Sequence, residues 1–456
     1  MSNESTVADY QELETEAPPP PAPAAPEPMS MGAVLRIATM RRLWYAQIVS
    51  VFGDFLALFA VITVMTFKLH ASAQQVTGVQ IAYLLPIAVL GVLSGVFVDR
   101  WPVKPTLVSS DFIRASLCLL LLLVHNVYGF YAVLAAISVF SSFFQPAQGI
   151  AIRSAVPRHG LRSANSLMQQ VMYVMRIVGG PVATFIVSRF HEQTCFIIDS
   201  ISFIASGTLI ASLALILPPK SEVAPAPVAQ EPSAGEEKTG IARILEDMKE
   251  GASFIFHHAA LLFVIVALAS GMFVMGCFGP LIAIFVRDTL RASTNIFGIA
   301  SAMIGLGLLI GISLLNAFAK NVKNTTLVYS GLSGIALGTL LMAIAPHIVF
   351  RIGSHAIAID IALTILGCFL VGFSVGGIVI PSQTMIQQET PQAMLGRVGS
   401  TVMSFIFSAQ IAGLVLSGIL ANLTSVRSVF AICTAMLAVL IVAGKLWMEP
   451  KEQPAS

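Results

Sequence analysis

Charge is what this chain has least of. Asp, Glu, Lys and Arg make up 11% of its 456 residues, against 56% hydrophobic. A soluble domain carries about a quarter charged residues, so a water-exposed globular architecture is disfavoured from the outset. No GxxxxGK[ST] phosphate loop occurs, and a nucleotide-driven engine is not expected within the chain. HExxH and Cys/His clusters are missing as well, which argues against an enzyme. The five cysteines, Cys118, Cys195, Cys277, Cys368 and Cys433, each stand alone in an apolar run. Neither a disulfide framework nor a CxxC metal site is indicated, and they read as small buried hydrophobes. The eight histidines lie mostly at the ends of apolar runs. No metal, cofactor or nucleic-acid partner is expected.

What the chain has instead is a series of about twelve apolar runs, each long enough to cross a bilayer. They lie near 43–67, 76–98, 106–124, 128–151, 164–188, 195–217, 259–286, 296–319, 325–345, 355–381, 398–421 and 426–447. The runs are continuously apolar, without the alternation of a barrel strand, so helices are predicted. The expected fold is an all-α membrane protein of twelve transmembrane helices in two pseudo-symmetric six-helix bundles.

Alternate linkers carry the positive charge. With the N-terminus inside, the inner segments hold Arg36, Arg41, Arg42, Arg100, Lys104, Arg153, Arg158, Arg162, Lys220, Lys238, Arg243, Lys249, Lys320, Lys323, Arg397, Lys445 and Lys451. The outer segments hold Lys68, Arg189, Arg287, Arg291, Arg351 and Arg427, a ratio of 17 to 6. The positive-inside rule then predicts both termini in the cytoplasm and the chain in the cell (inner) membrane. Residues 1–37 form an acidic, proline-rich tail with no signal-peptide pattern, so disorder is predicted and the first span is expected to serve as an uncleaved insertion signal. Residues 38–217 would form one bundle, 218–257 a central loop, 258–447 the second bundle and 448–456 a short tail. Within the loop, Ile241, Ile244, Leu245 and Met248 share one helical face, which predicts an amphipathic helix on the membrane surface or against the bundle.

The two halves echo one another. Pro146-Ala147-Gln148 and Arg162 recur as Pro381-Ser382-Gln383 and Arg397 at an offset of 235. Gly78, Gly91, Thr106-Leu107-Val108 and Ser110 recur as Gly298, Gly311, Thr326-Leu327-Val328 and Ser330 at an offset of 220. A shared order of matches of this kind points to a duplicated six-helix unit.

Ionisable residues inside the runs are the candidates for function, because each costs ~2.5–3.5 kcal/mol or more to hold in lipid and is therefore aimed at a polar interior. Asp54 lies near the middle of span one and Arg176 well inside span five. Proton exchange or substrate contact is set against a structural hydrogen bond for Asp54, and pairing with Asp54 against binding an anionic substrate group for Arg176. Asp111 and Arg114, three residues apart on span three, share a face close to its cytoplasmic end and are expected to pair. Asp199 and Asp360 fall nearer the outer face, where packing or loop anchoring is expected. Asp99 closes span two at a helix C-terminus, where a carboxylate needs an offset such as Arg100, Lys104 or Arg153. Gly179-Gly180-Pro181 permits close helix approach and a bend. The predicted cavity lining is Tyr83, Gln145, Gln148, Gln169, Tyr173, Met272, Phe273, Met275, Gln383 and Gln410, polar, aromatic and adaptable side chains that suit bulky amphipathic ligands.

Several local patterns resemble the major facilitator superfamily, and within it the drug:proton antiporter branch that includes macrolide-efflux and enterobactin-exporter-like permeases. They are Gly53-Asp54, the stretch Gly95-Val96-Phe97-Val98-Asp99-Arg100-Trp101-Pro102-Val103-Lys104, Ser110-Asp111-Phe112-Ile113-Arg114-Ala115, Gly179-Gly180-Pro181 and Ile198-Asp199-Ser200-Ile201-Ser202-Phe203. The chain departs from the branch at Pro102 and Val103, where glycine and arginine are usual, and at Thr184 and Phe185, where small residues often follow the proline. The resemblance implies proton-driven efflux of amphipathic, drug- or macrolide-like molecules by alternating access, with small molecules, protons and lipid as partners and a monomer as the working unit. It also implies that Asp99 latches to the start of span eleven near Gln392 to Gly396 in the outward-facing state, and that the Gly-Gly-Pro bend seals the outer half. The alternatives are a siderophore exporter or lysophospholipid transporter of the same fold, and a non-transporting scaffold or sensor.

Overall fold

The computed structural model describes residues 29–98, 101–213, 240–318, 322–346, 349–352, 355–391 and 394–448. Twelve helices are long and apolar enough to cross a membrane: Ala38–Lys68, Ala73–Gly91, Val103–Leu123, Val127–Ala155, Arg158–Phe190, Glu192–Ala211, Ala259–Thr289, Thr294–Leu315, Asn324–Ile344, Ile359–Glu389, Arg397–Leu423 and Val426–Leu446. They are spans one to twelve. Helices are the outcome because each run must satisfy its own backbone hydrogen bonds away from water. Spans one, seven and ten have 31 residues each, roughly 46 Å at 1.5 Å per residue, so they tilt or protrude beyond a ~30 Å hydrocarbon core.

The helix neighbours repeat. Span one packs on five, two on four, three on four and three on six; span seven packs on eleven, eight on ten, nine on ten and nine on twelve. The halves meet through two further pairs, two with eleven and five with eight. These exchange under the same pseudo-twofold that maps span one onto span seven. Even the helix ends are copied. Span one closes in a π-helical turn, Val64–Lys68, and span seven in another, Phe285–Thr289. Leu69 N–H bonds to Val64 O and Ala71 N–H to Met65 O; Leu290 N–H bonds to Phe285 O and Ala292 N–H to Val286 O. His70 and Arg291 follow at φ 47° and 51°, the left-handed residue that ends many helices.

The face where span one begins is termed proximal and the opposite face distal. On the distal side the halves are in contact. Gly418 of span eleven is so close to span two that a Cβ would stand 2.2 Å from Thr77 Oγ1. Asn422 Nδ2 donates to Gln74 Oε1 at 3.4 Å. Phe297 of span eight faces Phe59 and Phe67 of span one, with ring centroids 6.1 and 6.4 Å apart. Towards the proximal side the same two helices part: Gly91 of span two and Gly399 of span eleven each look into open space for 4 Å. Val89 is 58% and Met403 48% exposed. Spans two and eleven therefore close the halves together at the distal face, while these positions nearer the proximal face are open.

Three features depart from the sequence expectation. Met31–Arg36, inside the stretch expected to be disordered, is a short helix whose N-cap Ser30 Oγ accepts from Ala33 N at 3.2 Å, and residues 1–28 lie outside the described residues. Span ten begins at Ile359, not near 355, because Val349–Ile352 and His355–Ala358 form an antiparallel hairpin with Val349 opposite Ala358 and Ile352 opposite His355. Residues 349–352, Val-Phe-Arg-Ile, are β-branched, aromatic or long, a composition that favours a strand. The loop helix spans Gly240–His257, longer than the amphipathic segment alone. It docks on span eleven: a Cβ on Gly251 would lie 2.7 Å from Arg397 O and 2.6 Å from Thr401 Oγ1, and Arg397 Nη1 donates to Glu250 Oε2 at 2.8 Å.

Candidate coupling and substrate site

Spans one, three and six bring the rare ionisable residues of the first half together. Gly53 makes this approach possible. A Cβ there would stand 2.3 Å from Asp199 Oδ1 and 2.2 Å from Ser202 Oγ, so only glycine lets span one lie against span six at this level. Asp199 is 1% exposed. The Cys118 thiol of span three donates to its Oδ2 at 3.0 Å, and Ser202 Oγ approaches its Oδ1 at 3.4 Å. Asp54, next to Gly53, is only partly buried.

One turn deeper along span three, Arg114 donates to Asp111 Oδ1, and Ser206 Oγ of span six donates to Asp111 Oδ2 at 2.7 Å. The guanidinium lies between the Phe144 and Phe203 rings, 4.4 and 4.3 Å from their centroids, a cation–π sandwich that compensates part of its lost hydration. Asp111 and Arg114 are 0% and 3% exposed. Asp111 and Arg114 thus form a buried pair one helical turn along span three from Cys118, the thiol that donates to Asp199.

These positions correct two readings. Arg114 belongs to the middle of its helix rather than its cytoplasmic end, since it follows Val103, the first residue, by eleven positions, about 16 Å of rise. Asp199 belongs to the interior network and not to an outer-face anchor. The cysteines are as expected from the sequence: all five are buried free thiols, and Cys277 of span seven donates to Gly413 O of span eleven at 3.3 Å.

The other candidates disperse. Gln148 Nε2 donates to Gln47 Oε1 at 2.6 Å, and Gln47 in turn reaches Met172 Sδ at 3.8 Å. Gln47 was not singled out from the sequence, although a glutamine inside an apolar run was the available signal. Gln145, Gln169 and Gln383 are exposed, and Tyr83, Met272, Phe273, Met275 and Gln410 partly so. Tyr83 O accepts from Ser138 Oγ. Spans seven and eleven cross tightly at Phe273 and Gln410: a Cβ on Gly413 would meet Phe273 O at 2.2 Å, and one on Gly276 would meet Gln410 O at 2.3 Å. Gly179 lies against Phe55 Cβ (2.5 Å from its would-be Cβ), and Gly180 touches both the Phe59 ring and Ser301 at 3.1 Å. The Gly-Gly-Pro segment therefore packs span five on span one and span eight, in the distal half. Lys104 Nζ donates to Leu213 O at 2.7 Å, and Arg42 Nη1 to Ser212 O at 2.9 Å, two cations at the C-terminus of span six, where the helix dipole favours them. Asp360 is buried at the start of span ten, its Oδ1 accepting from Ile361 N at 2.8 Å. Asp99 and Arg100, and the side chains of Gly95, Tyr173, Arg176 and the loop segment 240–248, lie outside the described residues, as does Gln392 of the expected latch.

Twelve apolar helices in two related bundles, with charge buried inside the first, define an integral membrane protein. The family model of the Major Facilitator Superfamily matches residues 43–413, and the chain belongs to that superfamily. It is a transporter, not an enzyme. It is 26% identical to YfiS, an uncharacterised MFS-type transporter of Bacillus subtilis, over 86% of this chain and 89% of the relative. It is 23% identical to macrolide efflux protein A of Streptococcus pyogenes, over 88% and 94%. Among solved structures, the nucleoside transporter NupG superposes with a TM-score of 0.63 at 14% identity, covering 91% of this chain and all of that one. A bacterial homologue of the human lysosomal transporter Spinster, in an inward-facing and unoccupied conformation, superposes at 0.65 with 11% identity, over 92% and 99%. These likenesses carry the fold.

Proposed function

We propose that the chain is a proton-coupled exporter of amphipathic small molecules, working as a monomer in the cell membrane with both termini in the cytoplasm. The orientation rests on the 17-to-6 excess of Lys and Arg on alternate linkers. With that orientation the proximal face is cytoplasmic and the side open between spans two and eleven is inward-facing, the state described for the Spinster homologue. The efflux direction draws on the similarity to macrolide efflux protein A.

The observation that carries the coupling is the arrangement of Asp54, Asp111, Asp199 and Arg114. With Arg114 already paired to Asp111, Asp54 next to the buried Asp199 takes on a proton or a cationic ligand more cheaply than a second negative charge. Asp54 retains partial access and Asp199 has almost none, so Asp54 is the group that meets substrate and proton, with Asp199 behind it. A proton moving inward gains ~2.3 kcal/mol per 100 mV and ~1.4 kcal/mol per pH unit. One or two protons therefore sustain a substrate gradient of about tenfold to several hundredfold.

The test reconstitutes the protein in proteoliposomes carrying a pH-sensitive dye and offers macrolides, other amphipathic drugs, siderophores and lysolipids, with Asp54→Asn in parallel. Substrate-dependent proton movement that disappears in Asp54→Asn is the expected result. Uptake indifferent to the gradient for every compound would remove the antiport reading. Movement of siderophores or lysolipids alone would change the cargo and keep the fold's role.

A further inference from the structure

We propose that Arg287 is the latch that holds the halves shut at the distal face, and that each transport cycle requires its release; this rests on the alternating-access reading above. Arg287 sits in the π-helical turn that ends span seven. Its Nη1 crosses between the halves and donates to two backbone carbonyls of the first half, Thr66 O at 2.7 Å and Ala71 O at 2.8 Å. Thr66 belongs to the matching turn of span one, and Ala71 follows that turn by three residues. Backbone N–H groups there bond to Val64 O and Met65 O instead. The cation thus meets the negative end of span one's dipole, where helix carbonyls lack donors.

The neighbouring residue aims the group. Asp288 takes Arg287 Nε on Oδ1 at 2.5 Å and Nη2 on Oδ2 at 2.7 Å, the parallel two-bond geometry that fixes a guanidinium in a plane. Nη1 alone is left to reach across. Because Asp288 travels with Arg287 in the same half, opening the distal side does not strand a bare charge. It exposes two carbonyls and one N–H edge to water, which hydrates all three. The contact is charge-assisted when closed and cheap to replace when open, as a reversible latch requires. Its orientation also matches the state seen: it can form only while the distal face is closed.

The experiment uses the full chain in proteoliposomes with Gln74→Cys and Asn422→Cys, whose native amides meet across spans two and eleven at 3.4 Å. A protease site inserted within residues 218–233 separates the halves after reaction. Copper phenanthroline then joins the two thiols as a disulfide, two protons leaving and dioxygen taking the electrons. In an Arg287→Gln background the closed-to-open ratio should fall about tenfold for each charge-assisted hydrogen bond lost, and the initial cross-linking rate should fall with the closed fraction. Arg287→Lys, which keeps a cation for the carbonyls, should retain most of the rate. As a second measurement, Thr77→Cys, at a position 1% exposed beside Gly418, should react faster with a membrane-impermeant maleimide in Arg287→Gln than in the parent. Thermal unfolding of each variant in detergent checks that it is folded. Equal cross-linking and equal labelling in folded Arg287→Gln and parent would overturn the latch. If instead both respond but no compound is moved by the parent protein, the latch stands and the transport reading is what fails.

Discussion

Gly53 and Asp199 touch in a way that only glycine permits: a Cβ on residue 53 would fall 2.3 Å from the carboxylate oxygen of residue 199. The neighbour of one, Asp54, is partly exposed, and the other is sealed between spans one, three and six. The contact joins an accessible carboxyl to an inaccessible one through a single helix crossing.

Gly53→Ala should therefore push spans one and six apart. Overpacking of this kind costs about 1–3 kcal/mol, and the displaced neighbours here are a carboxylate and a hydroxyl. A lower unfolding temperature in detergent, together with loss of transport in proteoliposomes, is the expected outcome. An unfolding temperature equal to that of the parent would show that the crossing is looser than described.

Asp54→Asn and Asp199→Asn keep shape while removing an ionisable group. Each should leave folding close to the parent and abolish the dependence of substrate flux on an imposed pH gradient, with Cys118→Ser showing a smaller loss because it removes only a weak thiol donor to Asp199. Flux measured at equal and at opposed internal and external pH separates these outcomes. A gradient response intact in Asp199→Asn would reduce that residue to packing.

Arg114→Leu strips from Asp111 its cation partner among the described residues and leaves a buried carboxylate unpaired, a change that costs about 3–5 kcal/mol. Poor yield and early unfolding are expected. The double variant Asp111→Asn, Arg114→Leu should recover most of the stability, since the penalty belongs to the unpaired charge and not to the loss of attraction. Thermal unfolding of the single and double variants is the measurement.

On the loop helix, two neighbouring residues should behave in opposite ways. Glu250 and Arg397 form an ion pair whose side chains are 50% and 40% exposed, so Glu250→Ala should change stability by less than about 1 kcal/mol. Gly251→Leu should lift the helix from Arg397 and Thr401 and lower the unfolding temperature markedly. Equal effects of the two substitutions would mean that the helix is held by its charges.

Much of the fold was legible because lipid writes a simple code. Continuous apolar runs gave all twelve spans, and weak repeats such as Pro146 with Pro381 gave the duplication that the helix neighbours display. The hairpin at Val349–Ala358 was missed because strands of four residues at the edge of an apolar run look like more of the same run. The site was legible only in part. Asp54 stood out by being charged in a greasy helix, and Asp111 with Arg114 by a local spacing of three. Asp199 could not be joined to them, because its partners Gly53 and Cys118 lie on other helices and nothing local encodes a crossing.

The copied π-helical turns have a further consequence. Thr66 and Arg287 are the same position in two versions of one ancestral segment, so the distal closure is a turn clasping its own twin. A single-copy ancestor assembled as a symmetric pair would have placed identical residues at both ends of that clasp, and two facing arginines would repel. Once the copies were fused on one chain, each could drift without the other, and one became the hook while its sister kept a short side chain and offered bare backbone as the eye.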